Sequence, residues 1–158
     1  MNTIASAQEP TAPGTPVGTT AWVRLSQDML TQFEVVTKSN DPLHMDPDWV
    51  RRNTEYANTI APGMLTLSLL PYFASQLNLV SEDHYSLNYG FDRVRWIQPV
   101  PVDADVRAHF VALGTTELPG GRPGHVARFD VKVEIRGFER PALVAEWLGA
   151  IVPRPALK

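Results

Sequence analysis

Cysteine is absent from all 158 residues, which excludes disulfides, thiolate nucleophiles, zinc ribbons and iron–sulfur clusters. No apolar run reaches the roughly 18 residues that read as a membrane-spanning helix. The first 20 residues hold neither Lys nor Arg and no apolar stretch long enough for a signal-peptide core. The sequence therefore predicts a cytoplasmic protein with no membrane partner. Basic blocks are missing as well: 14 Lys and Arg stand against 17 Asp and Glu, a formal charge of −3. A nucleic-acid partner has no electrostatic footprint here. What remains is a chain of one-domain length with ordinary hydrophobic and charged content. Its one compositional excess is 14 prolines.

Residues 1–20 are rich in Thr, Ala, Pro and Gly and poor in large apolar side chains, too few to offset the entropy of ordering them. They are expected as a flexible arm, with the domain proper over 21–158. A short strand over 22–25 precedes Ser26, which caps a helix carrying Met29, Leu30, Phe33 and Val36 at helical spacing, with Asp28 in its first turn. That helix ends before Pro42, because the residue preceding a proline avoids the α region. Asp46-Pro47 opens a second short helix. From 61 to about 77 the chain is apolar nearly all round, which predicts one long, mostly buried helix, kinked or missing a bond at Pro71.

Beyond residue 83 the hydrophobic period becomes two. Phe129, Val131, Val133 and Ile135 alternate with Asp130, Lys132, Glu134 and Arg136, and Val106, Ala108, Phe110 and Ala112 repeat the pattern. Tyr85, Leu87, Tyr89 and Phe91 form the apolar phase of the strand before them, and 143–152 is almost continuously apolar. Pro99 and Pro101 break one strand from the next, and Pro119 to Gly124 forms a loop. Helices followed by an antiparallel sheet give an α+β architecture. A sheet wrapped round one central helix is the simplest cover for a helix apolar on every side.

Four histidines are the obvious titratable candidates. His84 and His125 lie beside turns and His109 falls on the polar phase of its strand, all three reading as solvated. His44 differs, because it sits in a polar, proline-containing turn inside an otherwise apolar stretch, where a scaffold presents a general acid or base. The plainer alternative is that Asp41 and Asp46 cap turns and His44 satisfies a carbonyl. Gly63 opens the buried helix, where free N–H groups receive an anion or a polarised carbonyl. It serves equally well as a glycine needed for tight packing after Pro62.

The string from Ser39 through Asn40-Asp41-Pro42-Leu43-His44-Met45-Asp46 to Pro47, followed by Thr59-Ile60-Ala61-Pro62-Gly63-Met64-Leu65-Thr66, resembles the MaoC-like dehydratases. These include the (R)-specific enoyl-CoA hydratases and, nearest in pattern, a nodulation-protein-N-like branch. Asn88-Tyr89-Gly90-Phe91 through Trp96, Pro99-Val100-Pro101-Val102, and Pro141-Ala142-Leu143 through Trp147 carry the same resemblance, which spans about 21–152. It implies a single hot-dog domain, an antiparallel sheet wrapped round a long central helix, usually paired into a homodimer or higher oligomer. The implied reaction is hydration or dehydration of a small-molecule acyl substrate, an enoyl or hydroxyacyl thioester. No metal or redox cofactor is implied, and coenzyme A or a carrier protein enters only as part of the substrate.

In the family an Asp and a His five residues later hold a water, and a glycine N–H holds the thioester oxygen. The resemblance puts His44 on the histidine and Gly63 on the glycine, with Met64 beside it at the substrate. It departs at the aspartate, where Ser39 stands. Asp41 replaces an Asn that commonly precedes the proline, and Pro62 replaces a second histidine. A serine hydroxyl is no base near pH 7 without an activating partner. Three readings follow. Asp41 takes the base role; or His44 works alone in an elimination, isomerisation or cyclisation of a polyketide-derived substrate; or the chain is a catalytically reduced subunit paired with another hot-dog subunit. The leading expectation is a hydro-lyase in which His44 is the acid/base and Ser39 or Asp41 positions water or a substrate hydroxyl. A thioesterase on the same fold is disfavoured, since no Asp or Glu lies between Gly63 and Leu77.

Overall fold

The computed structural model describes residues 12–155. Two short strands, β1 (Pro16–Thr19) and β2 (Val23–Arg24), lead into α1 (Gln27–Thr37). Ser26 caps α1 by accepting the Met29 N–H, and Lys38 ends it in the left-handed conformation. The segment expected to be an irregular turn is a single helical turn, α2 (Pro42–Met45), because the Asp41 carboxylate accepts the Leu43 N–H and Pro42 occupies the first helical position. Asp46 caps α3 (Pro47–Asn53) in the same way, accepting from Asp48 and Trp49 at 2.9 Å each.

The long central helix expected over 61–77 is two six-residue helices, α4 (Gly63–Ser68) and α5 (Leu70–Ser75). Pro71 is the cause. It has no N–H for the carbonyl of Leu67, four residues earlier, and the Leu69 N–H turns onto that carbonyl instead. Neither piece is covered on every side: Leu65, Leu67, Leu70 and Phe73 are buried, whereas Met64 and Tyr72 are exposed. Among the described residues no helix is long and apolar enough to cross a membrane.

Four long strands follow, β3 (His84–Trp96), β4 (Asp105–Glu117), β5 (His125–Ile135) and β6 (Leu143–Pro153). They form one antiparallel sheet in the order β1-β4-β5-β6-β3, with β2 also pairing β4. The inner phases of β4, β5 and β6 pack on α4 and α5, and Phe110, Phe129 and Trp147 meet with ring centroids 6.2 Å apart.

Two further expectations are corrected. The arm does not run to residue 20: Pro16, Gly18 and Thr19 pair with Val111, Phe110 and His109, and the Thr20 N–H donates to the Ala108 carbonyl at 3.0 Å. Backbone pairing to a sheet edge asks little of side-chain hydrophobicity, so composition does not register it. Gly18 also lets β1 close on the turn that follows α5, since a Cβ there would meet Leu77 at 2.8 Å. Residues 1–11 of the expected arm lie outside the described residues. The second correction concerns β3, where Tyr85, Leu87, Tyr89 and Phe91 are exposed. β3 is an edge strand, and register shifts at Asn88/Gly90 and Phe91/Arg93 break its alternation.

Candidate active site

Residues 59–61 pair with the β3–β4 connection: the Ala61 N–H donates to the Val100 carbonyl at 2.8 Å, and the Val102 N–H to the Thr59 carbonyl at 3.0 Å. This short rung carries the chain into Gly63 and brings it beside α2. A cleft of about 320 Å³ opens there, walled by His44 and Gly63 on one side and Trp96, Gln98 and Val100 on the other.

His44 is held at three points. Its N–H donates to the Asp41 carbonyl at 3.0 Å, its carbonyl accepts from Gln27 Nε2 at 2.8 Å, and its Nδ1 lies 2.7 Å from the Ile60 carbonyl. A carbonyl only accepts, so the ring proton resides on Nδ1. In the neutral imidazole Nε2 then carries the lone pair, the form a general base needs.

Gly63 is the first residue of α4, so its N–H has no acceptor within that helix. Trp96 lies directly over it: a Cβ at Gly63 would come within 2.6 Å of the indole Nε1. Here glycine is required by close approach, not by its φ. Gln98 adds a polar group to the wall, and its Nε2 is buried with no hydrogen-bond partner.

The structure brings together two of the residues expected from sequence and leaves three aside. His44 and Gly63 share the cleft. Ser39 is exposed, with its N–H on the Glu34 carbonyl at 3.1 Å, and does not line the cleft. Asp41 is likewise exposed, and its carboxylate is occupied in capping α2. Met64 is 57% exposed and points elsewhere. Among the described residues no Asp or Glu lines the cleft. Sequence reasoning missed Trp96, Gln98 and Gln27. The run Arg95-Trp96-Ile97-Gln98 ahead of Pro99 carried a signal, since an aromatic and an amide at a strand end abut the same connection as Gly63.

Comparison with known proteins gives this geometry a family. The model of the MaoC-like domain matches residues 8–127. Nodulation protein N of Rhizobium leguminosarum bv. viciae is 34% identical over 96% of this chain and 93% of its own. The 3-hydroxyacyl-thioester dehydratase Z of Mycobacterium tuberculosis is 35% identical over 85% and 87%. Among solved structures, the (R)-hydratase from A. caviae involved in PHA biosynthesis superposes with a TM-score of 0.68 at 22% identity, covering 92% of this chain and all of that one. The ChsH1-ChsH2 complex from Mycobacterium tuberculosis, an assembly of two different subunits, superposes at 0.64 and 12% identity, over 92% of this chain and all of that one. The antiparallel sheet closed on α4 and α5 is the hot-dog fold of these hydratases, and the chain belongs to the MaoC-like family of hydratases and dehydratases, lyase-type enzymes.

Proposed function

We propose that the chain interconverts a 3-hydroxyacyl thioester and the corresponding 2-enoyl thioester, with His44 as the acid/base. The observation that carries this reading is the Nδ1 contact to Ile60 in a cleft shared with Gly63, which leaves Nε2 as the nitrogen that exchanges protons. In the dehydration direction Nε2 takes the α-proton while the Gly63 N–H holds the thioester oxygen on which negative charge develops. The imidazolium returns that proton to the β-hydroxyl as the C–O bond breaks. Water and the enoyl thioester leave, and His44 is neutral again. One residue thus makes both proton transfers, which suits a cleft wall without a carboxylate. Ser39 and Asp41, placed at the substrate by the sequence reading, act only through the α1–α2 turn. The reading calls for no metal or redox cofactor, and coenzyme A or a carrier-protein arm belongs to the substrate. The cytoplasm is the location expected in this reading.

The partner in this reading is a second copy of the chain. Its support is the exposed stripe Tyr85, Leu87 and Tyr89 on an edge strand of 13 residues, a surface of the kind that pairs with another chain. A second reading, a catalytically reduced subunit beside a different hot-dog chain, is favoured by one observation: the serine at position 39 is exposed and away from the cleft.

The deciding assay is hydration of crotonyl-CoA, and dehydration of 3-hydroxybutyryl-CoA, by the wild type, His44→Ala and Ser39→Asp. Turnover by the wild type and its loss in His44→Ala is the expected result. A wild type silent on both substrates overturns the water-adding reading, and activity gained by Ser39→Asp contradicts the placement of position 39 away from the cleft. Activity that appears only on adding a second MaoC-like chain favours the reduced-subunit reading.

A further inference from the structure

α2 is one helical turn, too short to hold its own shape in water, and its backbone link to the neighbouring rung, from the Ile60 N–H to the Leu43 carbonyl, is long at 3.4 Å. The precision of His44 therefore comes from elsewhere. Two side chains of α1 reach the turn. The Glu34 carboxylate, 1% exposed, accepts the Asp41 N–H at 2.8 Å, and the Gln27 amide donates to the His44 carbonyl at 2.8 Å. Positions 27 and 34 are seven apart and share one face of α1. They grip the start and the end of the turn from a helix anchored in the core by Leu30, which is fully buried.

Gln27 does more than hold the turn. Its Oε1 accepts from the Thr59 hydroxyl at 2.6 Å, and its Nε2 also contacts Thr31 Oγ1 at 3.3 Å. The amide orientation is forced, because the His44 carbonyl requires a donor and the opposite flip would set two oxygens face to face. Thr59 is fully buried and immediately precedes Ile60, whose carbonyl holds His44 Nδ1. The loop of contacts is closed: Gln27 fixes the His44 main chain with one end of its amide and the strand that orients the His44 ring with the other.

We propose that Gln27 is a positioning residue for His44, setting the ring's tautomer and reach by locking α2 to residues 59–60. This inference rests on the reading of His44 as the acid/base, and a readout independent of turnover separates the two.

The test compares wild type, Gln27→Met, Thr59→Val, Thr59→Ser, the Gln27→Met/Thr59→Val double variant and His44→Ala. Measurements are crotonyl-CoA hydration kinetics, thermal melting and the ¹⁵N spectrum of the His44 ring. The expected result is a fall in kcat of about 10- to 100-fold for Gln27→Met with KM changed much less, a ring that shifts from the Nδ1–H tautomer to a mixture, and Thr59→Ser retaining more activity than Thr59→Val. The double variant is no worse than the poorer single one, because both substitutions open the same loop. Gln27→Met with kcat within twofold and an unchanged ring spectrum overturns the proposal. So does lost activity that tracks a lowered melting temperature while the Nδ1–H tautomer persists, since that outcome reports general structural damage. If His44→Ala keeps full activity the acid/base reading falls, and the ring spectrum alone still decides whether Gln27 positions the imidazole.

Discussion

The Nδ1 of His44 stands 2.7 Å from the carbonyl oxygen of Ile60, sixteen residues along the chain. That single contact converts a histidine of either tautomer into one with a defined lone-pair nitrogen, and it ties the His44 ring to the rung that leads into Gly63. Removing the ring tests it most directly. His44→Ala is expected to lower kcat by about 10²- to 10⁴-fold while costing on the order of 1 kcal/mol of stability for one lost hydrogen bond. Steady-state kinetics and urea melts of the same preparation separate the two effects, and activity within threefold of wild type refutes the assignment.

Gly63→Ala places a methyl group where the Trp96 indole stands, 2.6 Å from Nε1. Trp96 is 47% exposed and free to swing outward, so the protein is expected to fold with little loss of stability. The displaced ring and the new methyl group crowd the cleft, and kcat/KM falls by at least tenfold. Indole fluorescence reports the displacement. Gly63→Ala combined with Trp96→Ala restores part of the loss if crowding is the cause, and restores none if the methyl group acts only on the Gly63 N–H.

Gln98 holds a buried amide nitrogen without a partner in the cleft wall. An unsatisfied donor there costs about 1–3 kcal/mol, so Gln98→Met is expected to leave the melting temperature unchanged or higher. If the amide serves the bound thioester, KM for the acyl substrate rises severalfold in the same variant. Higher stability with an unaltered KM would show the amide to be unused.

On the outer face of the sheet, Arg107 Nε at 2.8 Å holds the Glu134 carboxylate below its usual range, partly opposed by burial, and His109 Nε2 at 2.6 Å adds to the effect. A carboxylate with a lowered folded-state pKa contributes stability above its unfolded value, about 4.3, and loses it as pH falls through the folded value. The melting temperature of wild type should therefore exceed that of Glu134→Gln at pH 6, with the gap narrowing as pH falls below the unfolded value. A gap that stays as wide throughout the acid range contradicts the ion-pair account.

The stripe on β3 gives a fifth test. Leu87 is 54% exposed and lies beside Tyr85 and Tyr89 over Ala150 and Val152. Leu87→Lys is expected to shift the chain towards monomer in sedimentation velocity and to melt independently of protein concentration, whereas the wild type should melt at higher temperature as concentration rises. A wild type monomeric at all concentrations removes the stripe as a self-association surface.

Much of this was legible in sequence wherever one rule acted alone. Ser26 and Asp46 as caps and the period-two strands from Val106 to Ile135 follow from local chemistry and pattern, whereas the meeting of His44 with Gly63 is implied only by the family resemblance. Misreadings arose where two effects competed. The period-two run from Tyr85 to Phe91 predicts a buried face, yet β3 is an edge strand and all four of these side chains are exposed. Pro71 was expected to disturb a helix and instead divides it, because Leu69 satisfies the stranded carbonyl by a tighter turn. Ser39 is placed at the site by its match to the family aspartate and Asp41 by its closeness to it, but Ser39 is exposed away from the cleft and the Asp41 carboxylate is taken up in capping α2. Gln27 and Thr59, 32 residues apart, acquire meaning only once α1 and the rung at 59–61 lie side by side.

The division at Leu69 has a mechanical consequence. α4 begins with Gly63 at the His44 cleft, while α5 borders a separate hollow of about 320 Å³ walled by Pro71, Leu79, Phe129 and Trp147. A continuous helix would behave as a rod, transmitting any push on one end to the other. Here the ladder changes register at the carbonyl of Leu67, so a push on α5 does not run along one rod. It reaches Gly63 instead through the core that Phe129 and Trp147 share with Ala61 and Leu65.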